Sequence, residues 1–155
     1  MTTPDKFTTF LWFNDNAEEA ATLYTSIFED SRIVSRMPGP GGKPQGVTFE
    51  LGQQRFVAFN GGPHYKLTAA VSIFVSCETQ EEIDGYWEKL LADGGKATRC
   101  GWLEDRFGLS WQIIPTALPS LLGDPDRARA GRAMQAMMKM QKLDIAKLES
   151  AFEGV

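Results

Sequence analysis

Two stretches of this chain superpose when one is slid along the other by 63 residues, and that repeat restricts the fold more than any other feature. In the first stretch, the aromatic and β-branched run FTTFLWF (7–13) precedes a helix signal, with Asn16 as cap, Glu19 three residues later, and an apolar stripe of Ala20, Leu23, Tyr24, Ile27 and Phe28. The segments SRIVSRM (31–37), VTFEL (47–51) and QRFVAFN (54–60) then read as strands, the first two separated by the loop PGPGGKPQG. In the second stretch AAVSIFVSC (69–77) leads to a Thr79–Glu82 capping box and a stripe of Ile83, Tyr86, Trp87, Leu90 and Leu91, closed by Gly94 and Gly95. Short strands follow at KATRC (96–100), around WLEDR (102–106) and at LSWQII (109–114). The helices align as Asn16 on Thr79, Glu19 on Glu82, Leu23 on Tyr86 and Tyr24 on Trp87. The expected class is α+β, built from two βαβββ units, about 7–60 and 69–115.

The remaining residues, 116–155, read as a helical tail. Asp124-Pro125 has the form of an N-cap followed by proline in the first turn, with Ala128, Met134, Met137 and Met138 along the helix behind it. Asp144 caps a last helix, IAKLESAF, that ends at Gly154. Such a methionine-bearing helix serves packing, a subunit contact or a ligand lid. A chain of 155 residues has the size of one domain, so residues 1–155 are taken as a single domain.

Composition removes several function classes. No apolar run approaches the roughly 18 residues of a membrane span, and 16 basic against 20 acidic residues leave no basic stripe for a phosphate backbone. Neither a membrane nor a nucleic acid is expected as partner. No basic stretch with a long apolar core opens the sequence, and two cysteines are too few for a disulfide framework, so a reducing cytoplasm is the expected location. A single histidine excludes, within one chain, any site built on two or three imidazoles.

Strand alternation separates two surfaces. One set, Leu11, Phe13, Val57, Phe59, Val71, Ile73, Val75, Trp111 and Ile113, is wholly apolar and is expected beneath the helices. The other runs through Thr8, Phe10 and Trp12, through Phe56, Ala58 and Asn60, through Ala70, Ser72 and Phe74, and through Ser110 and Gln112. This second set mixes aromatic, small and neutral polar side chains where a solvated face would carry Lys and Glu. It suits a semi-enclosed cavity for a small, partly apolar molecule; a dimer interface or a weakly hydrated concave surface would use the same residues.

The repeat, together with Leu11-Trp12-Phe13-Asn14, Asn60-Gly61-Gly62-Pro63, the helix TQEEIDGYWEKL, the stretch CGWLEDRFGLSWQIIP and the tail segment Lys142-Leu143-Asp144-Ile145, resembles the vicinal oxygen chelate superfamily. Glyoxalase I, bleomycin-resistance proteins and extradiol dioxygenases belong to it. The chain is most similar to its PhnB-like branch, often labelled a 3-demethylubiquinone-9 3-methyltransferase domain. The resemblance implies paired units, each wrapping a curved sheet around a cavity, and a homodimer. Metal-dependent members hold a divalent ion at four positions on the first and last strands of each unit. Carried over, these fall near Thr8, Ala58 or Asn60, Ala70 and Gln112, of which only Gln112 is a good ligand.

No metal and no cofactor is therefore expected, and no catalytic residue is assigned. Trp12, Asn60, Cys100, Trp102 and Gln112 are the candidate ligand contacts: flat aromatic surfaces, neutral amides and a thiol near the rim. His64 reads as a solvated loop residue, and Asp105 as the organiser of the turn into the last strand. The expected function is binding of a small organic molecule. A glyoxalase- or dioxygenase-type enzyme with an atypical metal site is the alternative. Methyl transfer from S-adenosylmethionine is a third reading, opposed by PGPGGKPQG leading into a strand rather than a helix.

Overall fold

The computed structural model describes residues 6–155, which form two compact units, one ending at Leu67 and the other running from Thr68 to Val155. The first contains β1 (Thr9–Phe13), α1 (Ala17–Ile27), β2 (Ser31–Met37), a short 3-10 turn at Pro40–Gly42, β3 (Gly46–Leu51) and β4 (Gln54–Asn60). The second contains β5 (Ser72–Cys77), α2 (Gln80–Leu91), β6 (Lys96–Ala97), β7 (Trp102–Glu104) and β8 (Ser110–Pro115), then α3 (Leu118–Leu122), α4 (Arg127–Met138) and α5 (Ile145–Glu153). Their sheets have the same order, β1-β4-β3-β2 and β5-β8-β7-β6, each with its first and last strands parallel. The repeat seen in the helices thus extends to topology, and the α+β architecture of two βαβββ units with a helical tail holds.

In the first unit α1 covers one side of the sheet. Its buried residues Ala17, Ala20, Ala21, Tyr24 and Ile27 follow helical spacing, and three of them are alanines that let the helix lie close. Beneath them sit Leu11, Phe13, Val47, Phe49, Phe56 and Ala58. Tyr24 meets Phe49 at 5.9 Å between ring centroids, and Phe49 stacks on Phe56 at 5.2 Å. This reverses the expected faces of β4. Parallel pairing places Phe10 beside Val57, Leu11 beside Ala58 and Trp12 beside Phe59, so Val57 and Phe59 lie on the open side and Phe56, Ala58 and Asn60 on the helix side. Alternation separates two sets of side chains, but both sets on β4 are apolar, so only the register to β1 decides which one is covered.

The start of α1 is also built differently from expectation. Asn16 occupies the cap position but makes no side-chain cap bond. Instead the Asn60 carbonyl oxygen Oδ1, 43 positions away, accepts from the Ala17 backbone N–H at 2.9 Å. The same amide donates to the Pro44 carbonyl at 3.0 Å, and the Asn60 backbone exchanges hydrogen bonds with Gln45. One side chain therefore satisfies an orphan helix N–H and ties the β2–β3 loop to the end of β4. That loop leads from β2 into β3, as its position between strands implies.

The second unit follows local signals more closely. Thr79 accepts from Glu82 N–H at 3.2 Å, closing the expected cap, and Ile83, Trp87 and Leu90 face the sheet. Two boundaries differ: β6 is limited to Lys96–Ala97, and β5 begins at Ser72, leaving Ala70 in a turn and Val71 59% exposed rather than beneath a helix. Asp105 organises the β7–β8 turn. Its carboxylate, 2% exposed, accepts from Phe107 N–H (2.9 Å), Leu109 N–H (3.0 Å) and the Trp111 indole N–H (2.9 Å).

The tail belongs to this second unit. Ile114, Leu118, Leu143 and Leu148 form a buried cluster with Met137 and Met140 packed against it. Met140 and Gln141 carbonyls accept from Cys100 and Gly101 N–H, and Gln80 holds the Leu143 carbonyl and the Ile145 N–H. The α4 cap is Asp126, which accepts from Ala128 and Arg129 N–H; Asp124, the expected cap, instead accepts from Asp126 N–H. Asp144 and Gly154 bound α5 as expected.

Two substitutions check this account. Asn60→Ala leaves the Ala17 N–H and the Pro44 carbonyl without their partner and is expected to cost about 1–2 kcal/mol in denaturant unfolding. Asp105→Ala strands three donors, one of them a buried indole, and is expected to cost roughly 3 kcal/mol or more, with Asp105→Asn intermediate.

Candidate functional site

With one side of each sheet under its helix, the opposite side is where a ligand can meet side chains. On the first unit's open face, Phe10 and Phe59 rings stand 5.2 Å apart, Trp12 and Phe59 5.4 Å, and Trp12 and Tyr65 4.9 Å edge to face. Phe10 is 59% and Tyr65 68% exposed. A cluster of four rings left this open to solvent is unusual for a finished core and suits contact with an apolar molecule.

Trp12 is held in one pose. Its indole N–H donates to the Gly62 carbonyl at 2.9 Å, and the ring lies so close over Gly61 that a Cβ there would stand 2.0 Å from Trp12 Cζ2. Gly62 itself has φ +87°, a conformation that glycine adopts without strain. The Asn60-Gly61-Gly62 junction is therefore an indole seat, and the glycines were its visible signal in the sequence. With its N–H already used, Trp12 offers a ligand only its ring.

Along the same face, past Phe10, the character becomes polar. Glu50 accepts from both Arg55 (3.0 Å) and Arg32 (3.1 Å). The Arg55 hydrogen bond is the main reason that its carboxyl is held below the usual carboxylate range. A groove of about 460 Å³ opens beside Arg55, lined also by Lys6, Thr8, Thr9, Gln53 and Gln54.

On the second unit's open face, β7–β8 pairing sets Trp102 directly opposite Gln112, and β5–β8 pairing adds Phe74, 53% exposed. Gln112 Nε2 donates to Ser72 Oγ at 3.0 Å, which leaves its carbonyl oxygen without a partner among the described residues.

The expected contacts are thus distributed unevenly. Trp12 and Asn60 share a unit but lie on opposite faces, and the Asn60 amide is fully engaged in holding α1 and the β2–β3 loop. Trp102 and Gln112 are neighbours on one face. Cys100 stands in a left-handed backbone conformation, φ +57°, with its N–H bound to the tail; a Cβ on Gly101 would meet Ile114 and Leu143. The Cys100-Gly101 pair therefore joins sheet to tail. Cys77 is buried, and desolvation, reinforced by Glu82, pushes its thiol up to about 11, away from the range of a reactive thiolate. His64 is exposed in its loop. Phe59, Tyr65 and Arg55 were not singled out from the sequence: the reversed β4 faces hid the first and third, and Tyr65 lies in a loop.

The positions implied for a metal can be tested against these placements. Ala58 is fully buried on the helix side and Ala70 lies in a turn, neither with a donor, while Thr8 offers a hydroxyl and Gln112 one amide carbonyl. Across the described residues no three His, Cys, Asp or Glu side chains gather into a cluster suited to a metal ion. These four side chains do not fit the donor shell of a divalent cation.

Comparison with known proteins agrees with this architecture. The PhnB protein from Bacillus cereus superposes with a TM-score of 0.64 at 38% identity, over 72% of this chain and 100% of that one. A glyoxalase-related enzyme from Fulvimarina pelagi (TM-score 0.54, 15% identity, 75% and 91% covered) shares the fold. So does the fosfomycin resistance protein FosX from Listeria monocytogenes (0.52, 16%, 76% and 98%). No curated protein matches the chain. A family model described as 3-demethylubiquinone-9 3-methyltransferase matches residues 5–114. Carrying that match, the paired βαβββ sheets and the likeness to PhnB, the chain belongs to the PhnB-like 3-demethylubiquinone-9 3-methyltransferase domain family.

Proposed function

We propose that this protein binds a small, partly apolar organic molecule on the open face of its first sheet, against the ring of Trp12. The observation that carries this reading is the seated indole. A glycine with no room for a Cβ and a carbonyl that takes the indole N–H hold a half-buried ring in place beside two widely exposed ones. A ring fixed before binding loses little conformational freedom when a ligand stacks on it. Cys77 lacks the environment of a nucleophile, and the Asp105 carboxylate is occupied by three donors, so neither supports a covalent or proton-transfer role. Methyl transfer comes with the family's description alone. The glycine-rich loop opens onto β3, with no helix N-terminus to receive the cofactor's carboxylate or ribose as in a doubly wound sheet.

A neutral planar probe, 2-naphthamide, tests the binding reading by titration calorimetry. The protein is expected to bind it, and both Trp12→Ala and Gly61→Ala are expected to weaken binding about tenfold, or 1.4 kcal/mol, while the unfolding transition remains cooperative. Unchanged affinity in both variants would overturn the assignment of Trp12. In a thermal-shift titration S-adenosylmethionine is expected to leave Tm unmoved; a saturable upward shift would support the methyltransferase reading instead.

A further inference from the structure

We infer that the groove beside Arg55 receives an anionic group, so that the favoured ligand is an organic acid whose carboxylate sits there while its flat apolar body lies along Phe10 toward Trp12. This rests on the aromatic-face reading and adds to it the ligand's charge. Among the described residues lining the groove two are cationic, Lys6 and Arg55, and none is acidic, although the chain as a whole carries a net charge of -4. The guanidinium is only partly used. Arg55 Nη2 donates to Glu50, whereas its Nε is buried without any hydrogen-bond partner, and no other bond to the group is made by the described residues. A guanidinium has five N–H donors in a planar fork, and a buried Nε without an acceptor is costly, while the solvent-facing N–H groups remain free to take an anion in place of water. Glu50 takes one of these donors, at the Oε1 atom that it also turns to Arg32.

The remaining lining groups are matched to the same ligand. The Thr8 hydroxyl and the Gln53 amide make no side-chain hydrogen bonds among the described residues, and Lys6 has no ion pair there, its ammonium lying 5.7 Å from the Phe7 ring centre. All can donate, and a carboxylate accepts at both oxygens. The groove volume of about 460 Å³ leaves room for a head group with part of its body. Position sets the body's direction. Thr9 pairs with Phe56 and Phe10 with Val57, so Thr8 and Arg55 each lie one residue further out, on the face that presents Phe10 and then Trp12. Residues two apart on a strand are spaced about 6.6 Å, roughly the length of one aromatic ring with its substituent.

The test compares 2-naphthoate with 2-naphthamide, which have the same shape and differ in charge, by calorimetry on the full chain. The naphthoate is expected to bind at least tenfold more tightly at low salt. Arg55→Gln should bring that ratio to about one while the naphthamide affinity stays as it was. Lys6→Gln, an exposed change that leaves the Arg55–Glu50 pair intact, should lower the ratio about threefold, which covers the case in which Arg55→Gln perturbs the sheet. Equal affinity for acid and amide in the unaltered protein, or a ratio preserved in both variants, overturns the anion site and leaves the aromatic face standing. Failure of both compounds to bind overturns the aromatic-face reading and the anion site with it.

Discussion

Parallel pairing of the first and last strand in each unit is the constraint on which the rest depends. A parallel pair cannot be closed by a hairpin, so the chain must leave the sheet and return, and it does so through a helix that lies on one side. One face is thereby covered and the other left open in both units. The same pairing sets register: by placing Trp12 beside Phe59 and Leu11 beside Ala58, it determines which side chains of β4 meet α1 and which meet a ligand. Asn60 is where these demands join. It ends β4, and its amide supplies the cap that α1 lacks at Asn16.

The open face of the first unit is organised by small residues as much as by large ones. Trp12 is positioned because Gly61 has no side chain and because Gly62 turns its carbonyl toward the indole. In the second unit a comparable demand at Cys100-Gly101 serves a different end, joining the sheet to the tail through Met140, Gln141 and Leu143. The two glycine-containing corners therefore differ in role, since one presents an aromatic ring and the other anchors α3–α5 over the end of β8.

What could be read from residues alone was local. The α2 cap at Thr79, the α5 limits at Asp144 and Gly154, and the turn built on Asp105 all depend on partners within six positions, and each was legible. The α1 cap was not, because its acceptor comes from 43 residues away. The faces of β4 were not either, since Phe56 and Ala58 are as apolar as Val57 and Phe59 and alternation carries no sign. Trp12 and the Trp102–Gln112 pair could be proposed as contacts from side-chain chemistry, whereas the engagement of Asn60 and the role of Arg55 required the register.

That register also explains why the metal positions of the superfamily do not transfer cleanly. Carried over from the resemblance, the first unit's second ligand falls near Ala58 or Asn60, both of which lie on the helix side. On the open side, the residue next to Thr8 across the β1–β4 pair is Arg55, and the two line one groove. A hydroxyl and a guanidinium offer a divalent cation one weak donor and a like charge, which disfavours it. They offer an anion a set of N–H and O–H donors with a positive charge behind them. With these residues that corner of the first sheet is chemically matched to an anion rather than to a cation, and the aromatic surface leading away from it matches an apolar remainder.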